Sequence, residues 1–173
     1  CGYFRFHKEF ITYRARRHQQ EKEVDLTMVL HPYFSSVADS NLLHTQYFIR
    51  DVTFQSTMPD STVHLRRHVL EENTFIEAGK PYSVSSLRKT YNHFGRLNAV
   101  KYTNISFEAV PDTTLLDANI LVQTNKPSTI SFQPEGTNTA GDLGAAAALT
   151  YQNRNLFRGS EVLSIQLRGA YEA

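Results

Sequence analysis

The side chains best suited to chemistry in this chain are two histidines, His64 and His68, in the string HLRRH. A spacing of four puts both imidazoles on one face of a helix. A zinc site would need at least one more ligand and a supporting hydrogen-bonded shell. Arginines flank the pair and no cysteine is near, so two exposed histidines are the favoured reading. Four carboxylates, Glu108, Asp112, Asp117 and Glu135, fall on strands and turns with nothing to mark a catalytic pair. The chain has no GxSxG, HExxH, phosphate-binding loop or GxGxxG motif, and it reads as a non-enzyme with no metal and no cofactor. The single Cys1 allows no internal disulfide. A terminal cysteine can be the anchor of a mature lipoprotein, but Gly2-Tyr3-Phe4 running into a strand favours an ordinary residue at a fragment boundary.

A denser polar group occupies residues 151–159 (YQNRNLFRG), where Asn153, Arg154, Asn155, Phe157 and Arg158 crowd into one connection. Asn and Gly tolerate the left-handed backbone of tight turns, and Leu156 with Phe157 offers an apolar plug. Two settings fit: a barrel rim with Phe157 at the membrane interface, or a hairpin tip in a soluble sheet. The flanking segments must position this turn. Residues 143–152 place Leu143, Ala145, Ala147, Leu149 and Tyr151 on one face. Residues 161–172 set Leu163, Ile165, Leu167 and Tyr171 against Ser164, Gln166, Arg168 and Glu172. A side-chain period of two gives one greasy and one wet face, and about ten residues cross a bilayer as a tilted strand. Residues 129–135 open the same zone, which makes three strands. A barrel must close to satisfy its backbone and three strands cannot close, so the chain is expected to be a fragment. Left unclosed, the three strands would expose an apolar face and a bare edge.

Upstream, residues 2–16 are rich in aromatic and β-branched types and predict a strand. The run at 14–23 (RARRHQQEKE) mixes both signs, which argues for a solvated hairpin connection over a nucleic-acid patch. Val24, Leu26, Met28 and Leu30 then alternate as a second strand, and residues 32–43 predict a linker. A complete unit follows. It has a strand over 47–55, a short helix over 62–72 marked by Leu65 and Val69, and a clearer helix over 81–97. Ser83 can cap the second helix, Val84, Leu87, Tyr91 and Phe94 form its stripe, and Gly95 can end it. Strands over 99–110 and 115–123 turn at Pro111-Asp112-Thr113, giving the order β-α-α-β-β.

Composition sets outer limits. With 173 residues, 40% of them hydrophobic, the chain can build one or two small cores. Eighteen Lys and Arg balance 17 Asp and Glu, so no overall field points to nucleic acid. No run approaches the roughly 18 apolar residues of a membrane-spanning helix, which leaves membrane strands open.

The string GTNTAGDLGAAAALTYQNRNLFRGSEVLSIQLRGAYE resembles the opening of the barrel in the BamA/TamA-like surface-antigen family of bacterial outer-membrane assembly factors. KPYSVSSLRKTYNHFGRLNAVKYTNISFE resembles their POTRA repeats. The repeat pattern is G-x-x-Y-S leading into a helix, then L-x-x-L/F-G-x-F-x-x-V running into a strand. Gly79, Tyr82, Ser83, Leu87, Phe94 and Val100 stand at comparable places. KYTNI in place of the commoner F-x-x-V is closest to the TamA-like branch (TamL), which includes lipoproteins. The implied fold class is α+β, with POTRA repeats followed by the first antiparallel strands of a truncated outer-membrane β-barrel. Residues 1–33 would be the last hairpin of a preceding POTRA domain, 34–44 a linker, 45–126 a complete POTRA domain, and 127–173 the first three barrel strands.

The resemblance implies insertion of β-barrel proteins into, or translocation across, the bacterial outer membrane without nucleotide hydrolysis, the POTRA domains lying in the periplasm. The implied partners are unfolded outer-membrane protein clients, accessory periplasmic or inner-membrane assembly proteins, and the lipid bilayer around the barrel. Client pairing would use a sheet edge, where main-chain hydrogen bonds give sequence-tolerant affinity. The expected client edge carries Val100, Tyr102, Asn104, Ser106 and Glu108. The expected barrel seam carries Thr129, Ser131, Gln133, Pro134 and Gly136. Because this strand contains Pro134 and is expected to end at Gly136, its pairing should be short and easily opened. Two other classes share parts of the pattern: a two-partner-type secretion pore, and a soluble periplasmic peptide-binding module.

Overall fold

The protein was analysed as a computed structural model that describes residues 2–17, 23–35, 40–56, 63–139 and 142–172. Strand β1 (Ile11–Arg17) pairs antiparallel with β2 (Val24–Leu30), from Ile11↔Leu30 to Arg17↔Val24. The strand expected from residue 2 starts only at Ile11, after a single 3-10 turn over Lys8–Phe10. Tertiary ring contacts outweigh β propensity there. Phe4 meets Tyr47 and Tyr82 edge-on, while Phe6 and Phe10 flank His44. The expected linker contains a short hairpin, β3 (Tyr33–Ser35) with β4 (Ser40–Leu42). The readings made on Cys1 and on the middle of the charged run fall outside the described residues.

The core belongs to the next unit. Strand β5 (Phe48–Gln55), helices α1 (Arg67–Glu72) and α2 (Val84–Phe94), and strands β6 (Val100–Ala109) and β7 (Leu115–Thr124) follow in chain order. The sheet order is β5-β7-β6, with β5 parallel and β6 antiparallel to the central β7. Alternate residues of β7, Leu116, Ala118, Ile120 and Val122, are fully buried under the helices. Their neighbours face the other side of the sheet, as a period of two requires.

Both helices differ in detail from the sequence expectation. α1 starts at Arg67, which leaves His64 in the bend before it, so His64 and His68 do not share a helical face. The Ser83 hydroxyl accepts the Ser86 amide at 3.3 Å, as expected of a cap. Phe94 is fully buried, but Val84 is 56% exposed and Tyr91 is 37% exposed. Thr90 takes the inner place instead, its hydroxyl donating to Ser86 O and accepting from Phe75 N. Gly95 ends the helix with a right-handed backbone, so the stop does not depend on glycine's freedom. Gly79 does use that freedom: φ is +80° and its amide bonds to Ile49 O.

The last strands form a separate sheet: β8 (Ser128–Thr139), β9 (Asp142–Asn153) and β10 (Leu163–Glu172), in the order β10-β9-β8. β8 is not short, and this corrects the expectation. It pairs with β9 along its whole length, through Pro134↔Ala147 and Gly136↔Ala145. An antiparallel residue turns its amide either to its partner or away. The Arg154 amide donates to Pro127 O, so by alternation Pro134, which has no amide hydrogen, turns its nitrogen away from β9 and costs the ladder nothing. Among the described residues no helix is long and apolar enough to cross a membrane, which says nothing of strands.

Candidate functional site

Three features of the backbone bear on function: the edge of β6, the β9–β10 connection, and the edge of β8. β6 bonds to β7 alone among the described strands. Four of the five residues expected on this edge, Tyr102, Asn104, Ser106 and Glu108, lie on the sheet's outer face. Val100 does not, because a register shift before Tyr102 sets it opposite the buried Thr124 and against the core. On the outer face Glu108, Asp117 and Asp51 are cross-strand neighbours. Both Asp117 oxygens accept from the Arg50 guanidinium, Nε to Oδ1 at 2.7 Å. No cluster suited to a metal occurs among the described residues.

The direction of the β6 backbone is fixed by one bond. The Ile105 amide donates to the Tyr91 hydroxyl at 2.9 Å and so faces away from β7. By alternation Thr103 and Phe107 face outward as well, while Asn104, Ser106 and Glu108 bond inward to β7. The row that could meet another strand is therefore Thr103, Ile105 and Phe107, one residue out of step with the set expected from sequence. No sequence signal fixes this parity.

The β9–β10 connection is more than a rim turn. Asn153 Oδ1 accepts the Asn155 amide at 2.9 Å, and Asn155 Oδ1 accepts the Ser160 amide at 3.1 Å. The loop also docks on the preceding unit. Asn155 Nδ2 donates to His64 O at 2.6 Å, Arg66 N donates to Arg158 O at 2.8 Å, and Ala99 N donates to the buried Ser160 hydroxyl at 2.8 Å. Arg154 N donates to Pro127 O at 2.8 Å, tying the loop to the lead-in of β8. Arg158 and Ser160 hold φ of 60° and 68°, a left-handed conformation that costs a residue with a side chain about 1–2 kcal/mol. Strain of this kind persists where surrounding bonds over-determine it.

Between those residues, the Glu161 carboxylate accepts the Gly159 and Phe157 amides at 2.9 and 3.2 Å. Its pKa lies below the usual carboxylate value, chiefly through its own backbone amide. Desolvation opposes this, while the Gly159 and Phe157 amides and the charge of Arg66 add to it. A Cβ on Gly159 would collide with that carboxylate. The expected apolar plug is absent: Leu156 is 40% and Phe157 60% exposed, and Ser160 is the buried contact. Sequence reading missed Ser160, Ala99 and Arg66, because a serine after glycine carries no signal of a partner 61 residues away.

The β8–β10 sheet has two unlike faces. Rows Ile130–Tyr151–Ile165 and Phe132–Leu149–Leu167 lie on one face. Ile130, Phe132 and Leu167 are each about two-thirds exposed. Thr129, Ser131, Gln133 and Glu135 share the other face with Gln152, Thr150, Ala148 and Ala146. Arg168 reaches across the small, buried Ala146 and Ala148 to Glu135 at 2.8 Å. The five residues expected on the seam thus divide: Thr129, Ser131 and Gln133 are on the polar face, Pro134 and Gly136 on the apolar one.

This arrangement has solved counterparts. The crystal structure of BamA from Haemophilus ducreyi lacking POTRA domains 1-3 matches with a TM-score of 0.58 and 13% identity, over 94% of this chain and 27% of that one. The chain has the fold of a segment of BamA. CdiB from Acinetobacter baumannii matches with a TM-score of 0.50 and 12% identity, over 72% of this chain and 22% of that one. The chain spans about a quarter of the length of these structures. No family model and no curated protein sequence matches it.

Proposed function

We propose that this chain is part of a non-enzymatic factor that inserts β-barrel proteins into the bacterial outer membrane, on a TamA-like plan. In this reading residues 45–126 are a periplasmic POTRA domain and residues 127–173 are the first barrel strands, apolar face to lipid. The observation that carries it is a pair of open sheet edges, β6 and β8, on two units joined by one hydrogen-bonded loop. Unfolded barrel clients pair first with β6 and then with β8, using main-chain bonds that do not read sequence. The likeness to both BamA and CdiB is compatible with insertion or with secretion, so the experiment must separate them.

The full-length protein in liposomes is given a urea-denatured outer-membrane protein, with photo-crosslinkers at Asn104, exposed on the outer face of β6, and at Gln133. Insertion predicts crosslinks at both positions and a protease-resistant folded client. Export of a soluble partner without folding of barrel clients would identify a secretion pore. Partition of the full-length protein into buffer without detergent would sink both barrel readings and leave the soluble peptide-binding module.

A further inference from the structure

The β6 edge holds a contact that a free edge would lack. The Tyr91 hydroxyl oxygen accepts the outward amide of Ile105 at 2.9 Å, the distance at which a neighbouring strand's carbonyl would accept it. The outward amides on either side, of Thr103 and Phe107, have no partner among the described residues. The Thr103 hydroxyl is likewise buried without a partner among them. The cause lies in α2. Thr90 and Phe94 fill the inner face, so Tyr91 is turned out of the core and its hydroxyl reaches the strand edge.

We infer that Tyr91 is a latch on the β6 edge, its hydroxyl standing where the carbonyl of an incoming strand must go. The inference rests on the reading of β6 as the client edge. An extended polypeptide that pairs through Ile105 exchanges one hydrogen bond for another there. Its net gain comes from Thr103, Phe107 and the outward carbonyls. With no client present, the latch satisfies the central amide and interrupts a row that would otherwise template pairing between copies of the protein. A hydroxyl does not read side chains, so the latch sets a threshold for pairing without choosing among clients.

The test uses full-length protein in detergent, with Tyr91→Phe and, as a second way of freeing the same amide, Tyr91→Leu. Hydrogen exchange of the peptide spanning residues 103–107 reads the contact itself. Affinity for a fluorescent extended peptide from a barrel client, with its crosslink to residue 104, reads the competition. The latch predicts that exchange rises about tenfold and affinity about threefold to tenfold in both variants. Unchanged exchange overturns the latch contact. Faster exchange with equal or weaker affinity overturns the competition. Absence of peptide binding by wild type and variants alike overturns the client-edge reading and the latch's role with it. The exchange data tell that outcome apart from a failed contact.

Discussion

Ser160 shows how much one hydroxyl can hold. It is buried, sits in a left-handed conformation, and accepts the amide of Ala99, one residue before β6 begins. Ser160→Ala leaves that amide without an acceptor and keeps the backbone strain. The junction should lose about 1–3 kcal/mol, read as faster exchange of the Ala99 amide with little change inside β7. Glu161 makes the same loop sensitive to acid. Its folded pKa is lowered, so its contribution is complete above the unfolded value of about 4.3 and is lost as pH falls through the folded value. Protection of the Phe157 and Gly159 amides, taken against their intrinsic exchange rates at each pH, should therefore fall as pH drops through the lowered Glu161 value. Glu161→Gln should flatten that profile. Neither residue was legible in sequence, because both act through backbone amides whose positions only the folded loop defines.

At the scale of elements, local chemistry was legible and orientation was not. The Ser83 cap, the breaks at Gly95 and residues 111–113, and every strand from β5 to β10 follow from nearby residues. The inward side of α2 followed only in part: Leu87 and Phe94 of the expected stripe pack on the core, but Thr90 joins them in place of Val84 and Tyr91, made acceptable there by Ser86 O and by Phe75 N, 15 residues earlier in the chain. The parity of β6 was hidden for a similar reason and decides where a proline probe belongs. Asn104 bonds inward opposite Leu121, so Asn104→Pro should orphan a carbonyl within the sheet and destabilise the unit by about 1–3 kcal/mol. Thr103→Pro removes an outward amide and a buried hydroxyl, neither of which has a partner among the described residues. It should leave the unfolding midpoint in urea nearly unchanged and, on the proposed function, abolish crosslinking of clients to β6. Loss of folding in Thr103→Pro would contradict the assigned parity.

Taken whole, the molecule is mostly β with few helices, its strands paired antiparallel except for β5 on β7, and the alternation of residues 143–172 foretold the last sheet. The junction between its two main units was not foretold, because its bonds join residues 61 and 91 positions apart. The two-faced sheet makes a simple prediction for the full-length protein. On the proposed barrel reading, Phe132→Arg places a charge on the lipid-facing side near mid-strand and should cost about 2–4 kcal/mol of stability in a bilayer. Ser131→Arg, one residue away on the polar face, should be tolerated; equal effects in a vesicle-refolding titration would reject the assignment of faces. Pro134 has a final consequence for whatever strand lies against β8. Its outward nitrogen offers no donor halfway along an otherwise regular row, so the arriving strand must set one carbonyl opposite a gap. Sliding by two residues would shift which carbonyl is left unmatched. Pro134 therefore serves as a fiducial mark from which an incoming strand's alignment can be counted.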